Sequence, residues 1–163
     1  MMDFIKPVMS EDNSASALKV AYIYNIAKFT RWPTSTWGTS KDPFILCFYA
    51  EDNVSNDLPT LQNKKIDEHP IAVMKVINDK DFEQCNALYL NTDDSRQYRY
   101  LLSQIDSQTV LTITDDSPYF DSGGFVNLVQ ENKKLRFQIS NQELSSTKLI
   151  LSSKLLKLSI LVD

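Results

Sequence analysis

The sequence predicts an α/β fold: a three-layer sandwich with a central, mostly parallel sheet of about six strands, a C-terminal antiparallel hairpin and helices on both faces. Three observations carry that reading. A continuous apolar run at residues 44–50 (FILCFYA) has the composition of a strand covered on both faces. Short apolar runs then alternate with helical stretches as far as residue 114, as parallel βαβ units do. Beyond Gly123-Gly124 the pattern changes to two strand-like runs joined by Glu131 to Lys134, which reads as a hairpin.

The elements follow in order. Ser14 or Ser16 can cap a first helix running to about Thr30. Its positions 18, 20–24, 26, 27 and 29 are apolar or aromatic, nearly all round, which predicts a largely buried helix. Pro33 stops it. After the strand at 44–50, a short helix fits residues 54–62 and a second strand residues 69–77 (HPIAVMKVI). Residues 87–91 (ALYLN) and 109–114 (TVLTIT) read as the third and fourth strands. Between them a helix spans 95–105, with Asp93 or Asp94 near its N-terminus. Ser117-Pro118 starts a helical turn that Gly123-Gly124 ends. The hairpin strands are 125–130 and 135–140, and a last helix runs from 141 to about 162. In that helix Leu151, Leu155, Leu158 and Val162 would form a core stripe.

The chain has 163 residues, the size of one domain. Residues 14–163 are read as that domain. Residues 1–13 are read as a disordered segment or an artificial start, because Met1 to Asn13 has no apolar h-region of a signal peptide. Either the protein is cytosolic or its leader has been replaced. No stretch of 18 apolar residues occurs to span a bilayer. The net charge of −4, from 21 acids and 17 bases, argues against nucleic acid as a partner. Three glycines and the absence of both GxGxxG and GxxxxGK[ST] argue strongly against a glycine-rich phosphate loop.

Catalytic chemistry is hard to assemble from this chain. Its one histidine, His69, precedes Pro70 at a predicted strand start and reads as a surface residue rather than a base beside a nucleophile. No HxxxH and no closely spaced Cys/His pair suggests a metal. Asp93-Asp94 and Asp115-Asp116 follow predicted strands, where ligand crevices form in open α/β sheets. A Mg²⁺ pocket of the receiver type is therefore one reading of them, and helix capping is another. Cys47 and Cys85 are too few for a disulfide scaffold. They are either one bridge or two buried thiols. They would be neighbours if the first strand lies beside the third. In LRFQIS, Arg136 and Gln138 share the face opposite Leu135, Phe137 and Ile139. An arginine fork beside an amide suits a carboxylate or phosphate, and equally a solvated sheet face.

Three blocks resemble a known family, the YfiR-like proteins. These are KVAYIYNIAKFTRWP (19–33), VLTITDDSPYFDSGGFVNLVQENKKLRFQIS (110–140) and SSKLLKLSILVD (152–163). Their order and spacing extend the resemblance from about residue 17 to 163. It implies a periplasmic, non-enzymatic protein that binds and represses the periplasmic part of an inner-membrane diguanylate cyclase, lowering cyclic di-GMP and with it biofilm formation. It also implies an outer-membrane lipoprotein that sequesters the repressor, a homodimer, no cofactor, and a bridge between Cys47 and Cys85. A small-ligand pocket in some members places Arg31 and Arg136 as candidates. Gln138 stands where a histidine is sometimes found, so the ligand's identity does not carry over.

Two other functions compete. One is a periplasmic small-ligand sensor coupled to a different membrane receptor such as a histidine kinase. The other is a Mg²⁺-dependent receiver or phosphatase using Asp94 or Asp115. Trp37 and Tyr119 are candidates for a docking surface, with core packing as their alternative.

Overall fold

The computed structural model describes residues 11–163, with side chains from residue 15 onward. The reading of residues 1–10 therefore lies outside the described residues. Helix α1 (Glu11–Lys28) is already formed at Glu11, so neither serine caps it. Ser16 is buried inside the helix, where its hydroxyl donates to Asp57 Oδ2 at 2.6 Å. Nor is α1 buried all round: Val20, Ile23, Ile26 and Ala27 face the core, while Leu18, Ala21 and Phe29 beyond its end are exposed.

Among the described residues the chain forms an eight-stranded mixed sheet and a separate two-stranded one. The large sheet is wider than the six strands expected. In it β2 (Phe44–Tyr49) is parallel to β4 (His69–Lys75) on one side and to β5 (Ala87–Leu90) on the other. Then come β6 (Leu111–Asp115), β7 (Val126–Glu131) and β8 (Lys134–Ser140). β7 is parallel to β6 and antiparallel to β8. The β7–β8 turn puts Asn132 and Lys133 at φ of +53° and +66°, the geometry that matches a two-residue loop to strand twist.

The added strands sit at the edges. Short β3 (Lys65–Ile66) runs antiparallel to β4, and β10 (Ile160–Val162) runs parallel to β8. The second sheet joins β1 (Thr30–Arg31) to β9 (Ile150–Leu151), so the segment after α1 is tied to one about 120 residues away.

The expected helix over 141–162 does not exist as one element. It is split into α4 (Asn141–Ser146), β9, α5 (Ser153–Leu158) and β10. The cause is local hydroxyl chemistry. Ser140 and Ser152 each cap a new helix by accepting from Glu143 N and Leu155 N. Thr147 Oγ1 and Lys148 N both donate to Gln108 O, pulling the chain out of helical geometry between the two caps. The stripe read from the sequence breaks accordingly: Leu151 and Leu155 are buried, whereas Leu158 is 58% exposed.

Elsewhere the shortenings have similar causes. The helix after β2 is α2 (Asn53–Asp57), capped by Asp52 and followed by a 3-10 turn over Leu58–Leu61, because Pro59 has no N–H to continue an α-helix. Helix α3 (Ser95–Ser103) is capped by Asp94. Ser117 Oγ accepts from Tyr119 N, and Gly123, at φ +117°, closes the next 3-10 turn.

Alternation along the strands divides the apolar residues between two clusters. Leu46, Ala87, Tyr89, Leu111 and Ile113 join α1 together with Val54 and Leu58 of the α2 region. Cys47, Leu88 and Leu90 join Tyr98 and Leu101 of α3. The chain therefore leaves β2 toward one cluster and leaves β5 toward the other. Burying a leucine in either contributes about 1.5–3 kcal/mol.

Candidate functional site

A groove of about 390 Å³ runs between α1, β8 and α5. Tyr22, Ile26 and Phe29 line it from the α1 side, Leu135 and Phe137 from β8, and Leu155 and Leu158 from α5. The spacing 22, 26, 29 is one face of a helix, so α1 presents these side chains together. The Tyr22 hydroxyl donates to Leu135 O at 2.9 Å and its ring meets Phe137 edge-on, which fixes α1 against β8. Two cations border this apolar lining, Arg136 and Lys154. Lys154 Nζ lies 5.2 Å from the centre of the Phe29 ring, in cation–π range. Arg136 Nη1 is 3.1 Å from Glu131 Oε1, an exposed pair that a competing anion can displace cheaply. An apolar floor with cations at its margin suits an apolar body carrying an acid, either a small molecule or a side-chain cluster of a partner.

The residues singled out in the sequence are only partly brought together. Arg136 borders this groove. Arg31, exposed on β1, borders a neighbouring hollow of about 230 Å³ with Lys28, Asp67 and Ile150; Phe29 lines both. Gln138 lines neither, and its Oε1 accepts from Asn127 Nδ2 at 3.1 Å. The groove residues Phe29 and Lys154 were not singled out. Lys154 sat in what read as one long helix, but the helical spacing of Tyr22, Ile26 and Phe29 was available in the sequence.

Cys47 and Cys85 form a disulfide, with Cα atoms 5.7 Å apart. Cys47 is wholly buried and Cys85 nearly so. The aromatic candidates are engaged inside the fold. Trp37 stacks on His69 at 4.0 Å and packs against Trp32 and Phe44. The Tyr119 hydroxyl donates to Asp93 O. His69 Nδ1 lies 2.7 Å from Asp42 O, which only accepts, so this nitrogen carries the proton.

The aspartates of the receiver reading are occupied separately. Asp94 caps α3 by accepting from Arg96 N and Gln97 N. Asp115 pairs with Lys19 Nζ at 2.9 Å. The carboxyl end of β5 carries Asn91, whose amide donates to Asp52 Oδ2 at 2.6 Å. Asp52 also accepts from the Tyr89 hydroxyl and Ser55 N. Desolvation pushes its carboxyl up, but the bonds from Asn91, Ser55 and Tyr89 outweigh that and hold it below its ordinary range. The Tyr89 phenol is raised by burial first and by Asp52 and Asp115 next, so it stays protonated. Among the described residues no three His, Cys, Asp or Glu side chains are grouped to hold a metal. Nor is any described helix long and apolar enough to cross a membrane.

The model of a family described as YfiR/HmsC-like matches residues 16–160, nearly the whole described chain. No curated protein matches the sequence. The matched region includes α1 from residue 16 onward, both cysteines, the β7–β8 hairpin and all but the last residues of the groove-forming C-terminal segment. This chain belongs to the YfiR/HmsC-like family.

Proposed function

We propose that this protein, acting through residues 14–163 as one domain, is a periplasmic regulator. It binds the periplasmic domain of an inner-membrane diguanylate cyclase and represses it, lowering cyclic di-GMP without catalysing a reaction itself. Family membership over residues 16–160 is the observation that carries this reading. The buried disulfide supports it, because such bridges persist in oxidising compartments and are rare in the cytosol. A regulator of this kind acts by contact. It inhibits only if it binds the inactive cyclase better than the active one, and tenfold repression needs about 1.4 kcal/mol of that difference.

The groove between α1, β8 and α5 is the docking or ligand surface in this reading. Exposed Phe29, Ile150 and Leu158 extend its apolar character onto the surface. Arg136 and Lys154 select a partner segment or ligand that carries an acid, and Arg31 extends the same positive margin; Gln138 follows Arg136 by two residues on β8 but lies outside both hollows. Release by an outer-membrane lipoprotein and action as a homodimer belong to the same proposal.

The groove's volume also favours a second reading, a periplasmic small-ligand sensor coupled to another receptor such as a histidine kinase. Cells separate the two. Deleting the gene should raise cyclic di-GMP, and an exported copy should restore the low level where a copy kept in the cytosol does not. An unchanged cyclic di-GMP level on deletion would reject repression of a cyclase and leave the sensor.

A further inference from the structure

A second cavity lies at the carboxyl ends of the parallel strands. In chain order the strands β2, β4, β5, β6 and β7 are arranged β4-β2-β5-β6-β7. This is the 2-1-3-4-5 order of doubly wound sheets, whose topological switch point falls between the first and third strands. Here that point lies between β2 and β5. The chain departs from β2 into the cluster shared with α1 and from β5 into the cluster shared with α3, so the two connections diverge and leave a crevice.

The crevice is present and has a volume of about 510 Å³. Tyr49 and Glu51 line it from the end of β2, Asn91, Thr92 and Asp93 from the end of β5, and Lys75 from the end of β4. An adjoining hollow of about 440 Å³ shares Ala50, Glu51 and Lys75 with it. Asp52 fixes the geometry from below, because its carboxylate ties the β2 connection to Tyr89 and Asn91 of the β5 end.

The charges in this crevice are of both signs and are not spent on each other. The ion pairs among the described residues are Lys19–Asp115 and Arg136–Glu131. Among the described residues Lys75 therefore has no carboxylate within 4.0 Å, although Glu51 and Asp93 line the same space. Tyr49 accepts from Gln97 Nε2, which leaves its own O–H free to donate. The crevice thus carries an ammonium from β4, a phenol and a carboxylate from the end of β2, and a second carboxylate from the end of β5. β4 and β5 flank β2, so their ends stand roughly 10 Å apart, two strand spacings. A small ligand that carries both an ammonium and a carboxylate meets both signs of charge in this lining, which a dicarboxylate or a diamine does not.

We propose that the crevice between β2 and β5 is a binding site for a small zwitterion of the free amino acid type, with Lys75 holding its carboxylate and Glu51 and Asp93 holding its ammonium. The site is separate from the groove and does not depend on which membrane partner the protein regulates. Neutral polar neighbours, Asn91 and Thr92, favour a polar side chain on the ligand over an apolar one.

The test is a titration of the isotopically labelled full chain, followed by amide resonances. Three probes share one scaffold: glutamine, N-acetylglutamine without the ammonium, and glutamine amide without the carboxylate. Glutamine is expected to shift the amides of Ala50, Glu51, Asn91 and Thr92, and each derivative to bind at least about tenfold more weakly. Lys75 is exposed, so Lys75→Met keeps the fold and should weaken glutamine by about tenfold or more; Asp93→Asn should act in the same direction. Equal binding of all three probes would overturn the proposal. So would shifts that map to the α1–β8–α5 groove, or no shifts at millimolar glutamine in the unaltered protein.

Discussion

Cys47, in the middle of β2, is bonded to Cys85, two residues before β5, across a separation of 38 residues. The bridge closes the excursion that forms β4 and returns the chain beside β2 to begin β5. Its contribution is therefore to the unfolded state, which loses the freedom of that loop, and it amounts to about 4 kcal/mol. Replacing both residues by alanine should lower the melting temperature by roughly 8–16 °C in calorimetry. A loss of under about 1 kcal/mol would mean that the reduced chain keeps these strands together without the bond.

The Tyr98 hydroxyl is buried and meets no hydrogen-bond partner among the described residues. A Cβ built on Gly124 would stand 2.7 Å from that oxygen and from Phe120 Cδ1. Gly124→Ala should therefore cost about 1–3 kcal/mol through overpacking. Tyr98→Phe should cost less than about 0.5 kcal/mol, since no bond is lost. In the double variant the absent hydroxyl should return part of the Gly124→Ala loss. Denaturant melts of the four proteins measure this coupling, and strict additivity would contradict the packing described here.

Asp52 sets the sign of one pH effect. Its folded pKa lies below the ordinary value of 3.8, so the stabilisation it provides is complete above about pH 4 and fades as the pH falls through the folded value. Asp52→Asn should flatten the acid side of the stability curve. Asp42, held down by the Thr39 and Gly38 N–H groups, and Asp81, held down by those of Asn78 and Ile77, have the same sign and will leave a residual slope. Chemical denaturation at intervals from pH 3 to 7 reads the difference; superimposable curves for the two proteins would count against the hydrogen-bonded carboxylate.

Two leucines of α5 separate stability from docking. Leu155 is buried, so Leu155→Ala should cost about 2–5 kcal/mol. Leu158 is exposed at the groove margin, so Leu158→Asp should change stability by no more than about 0.5 kcal/mol. On the proposed function, the same Leu158→Asp change should weaken binding to a cyclase's periplasmic domain by about tenfold or more. Surface plasmon resonance with the folded variant checks this, and unaltered affinity would move the docking surface away from the groove.

What the sequence made legible follows from how local each signal was. The run FILCFYA could be read as a strand because both of its faces are apolar, and Asp94 could be read as a cap because capping involves only the next three residues. The C-terminal segment was not legible in the same way. The apolar spacing of Leu151, Leu155 and Leu158 imitated one helix, while the signals against it, Ser140 and Ser152 as caps and the hydroxyl run Ser145-Ser146-Thr147, were individually weak. Pairing of Thr30 with Leu151 and of Gln138 with Ile160 is decided by tertiary packing and leaves no local trace. The site shared this fate. Arg136 was found because strand alternation is local, but Lys154 and Phe29 join it only after α5 folds back on β8.

The most direct test of the account is a reconstitution. A full-length membrane diguanylate cyclase of the source cell is placed in proteoliposomes with its periplasmic domain outward, GTP is enclosed, and the purified protein is added outside. The account predicts that cyclic di-GMP formation falls about tenfold or more in a saturable way, and that the Leu158→Asp protein fails to produce the fall. An unchanged rate at saturating protein would contradict it.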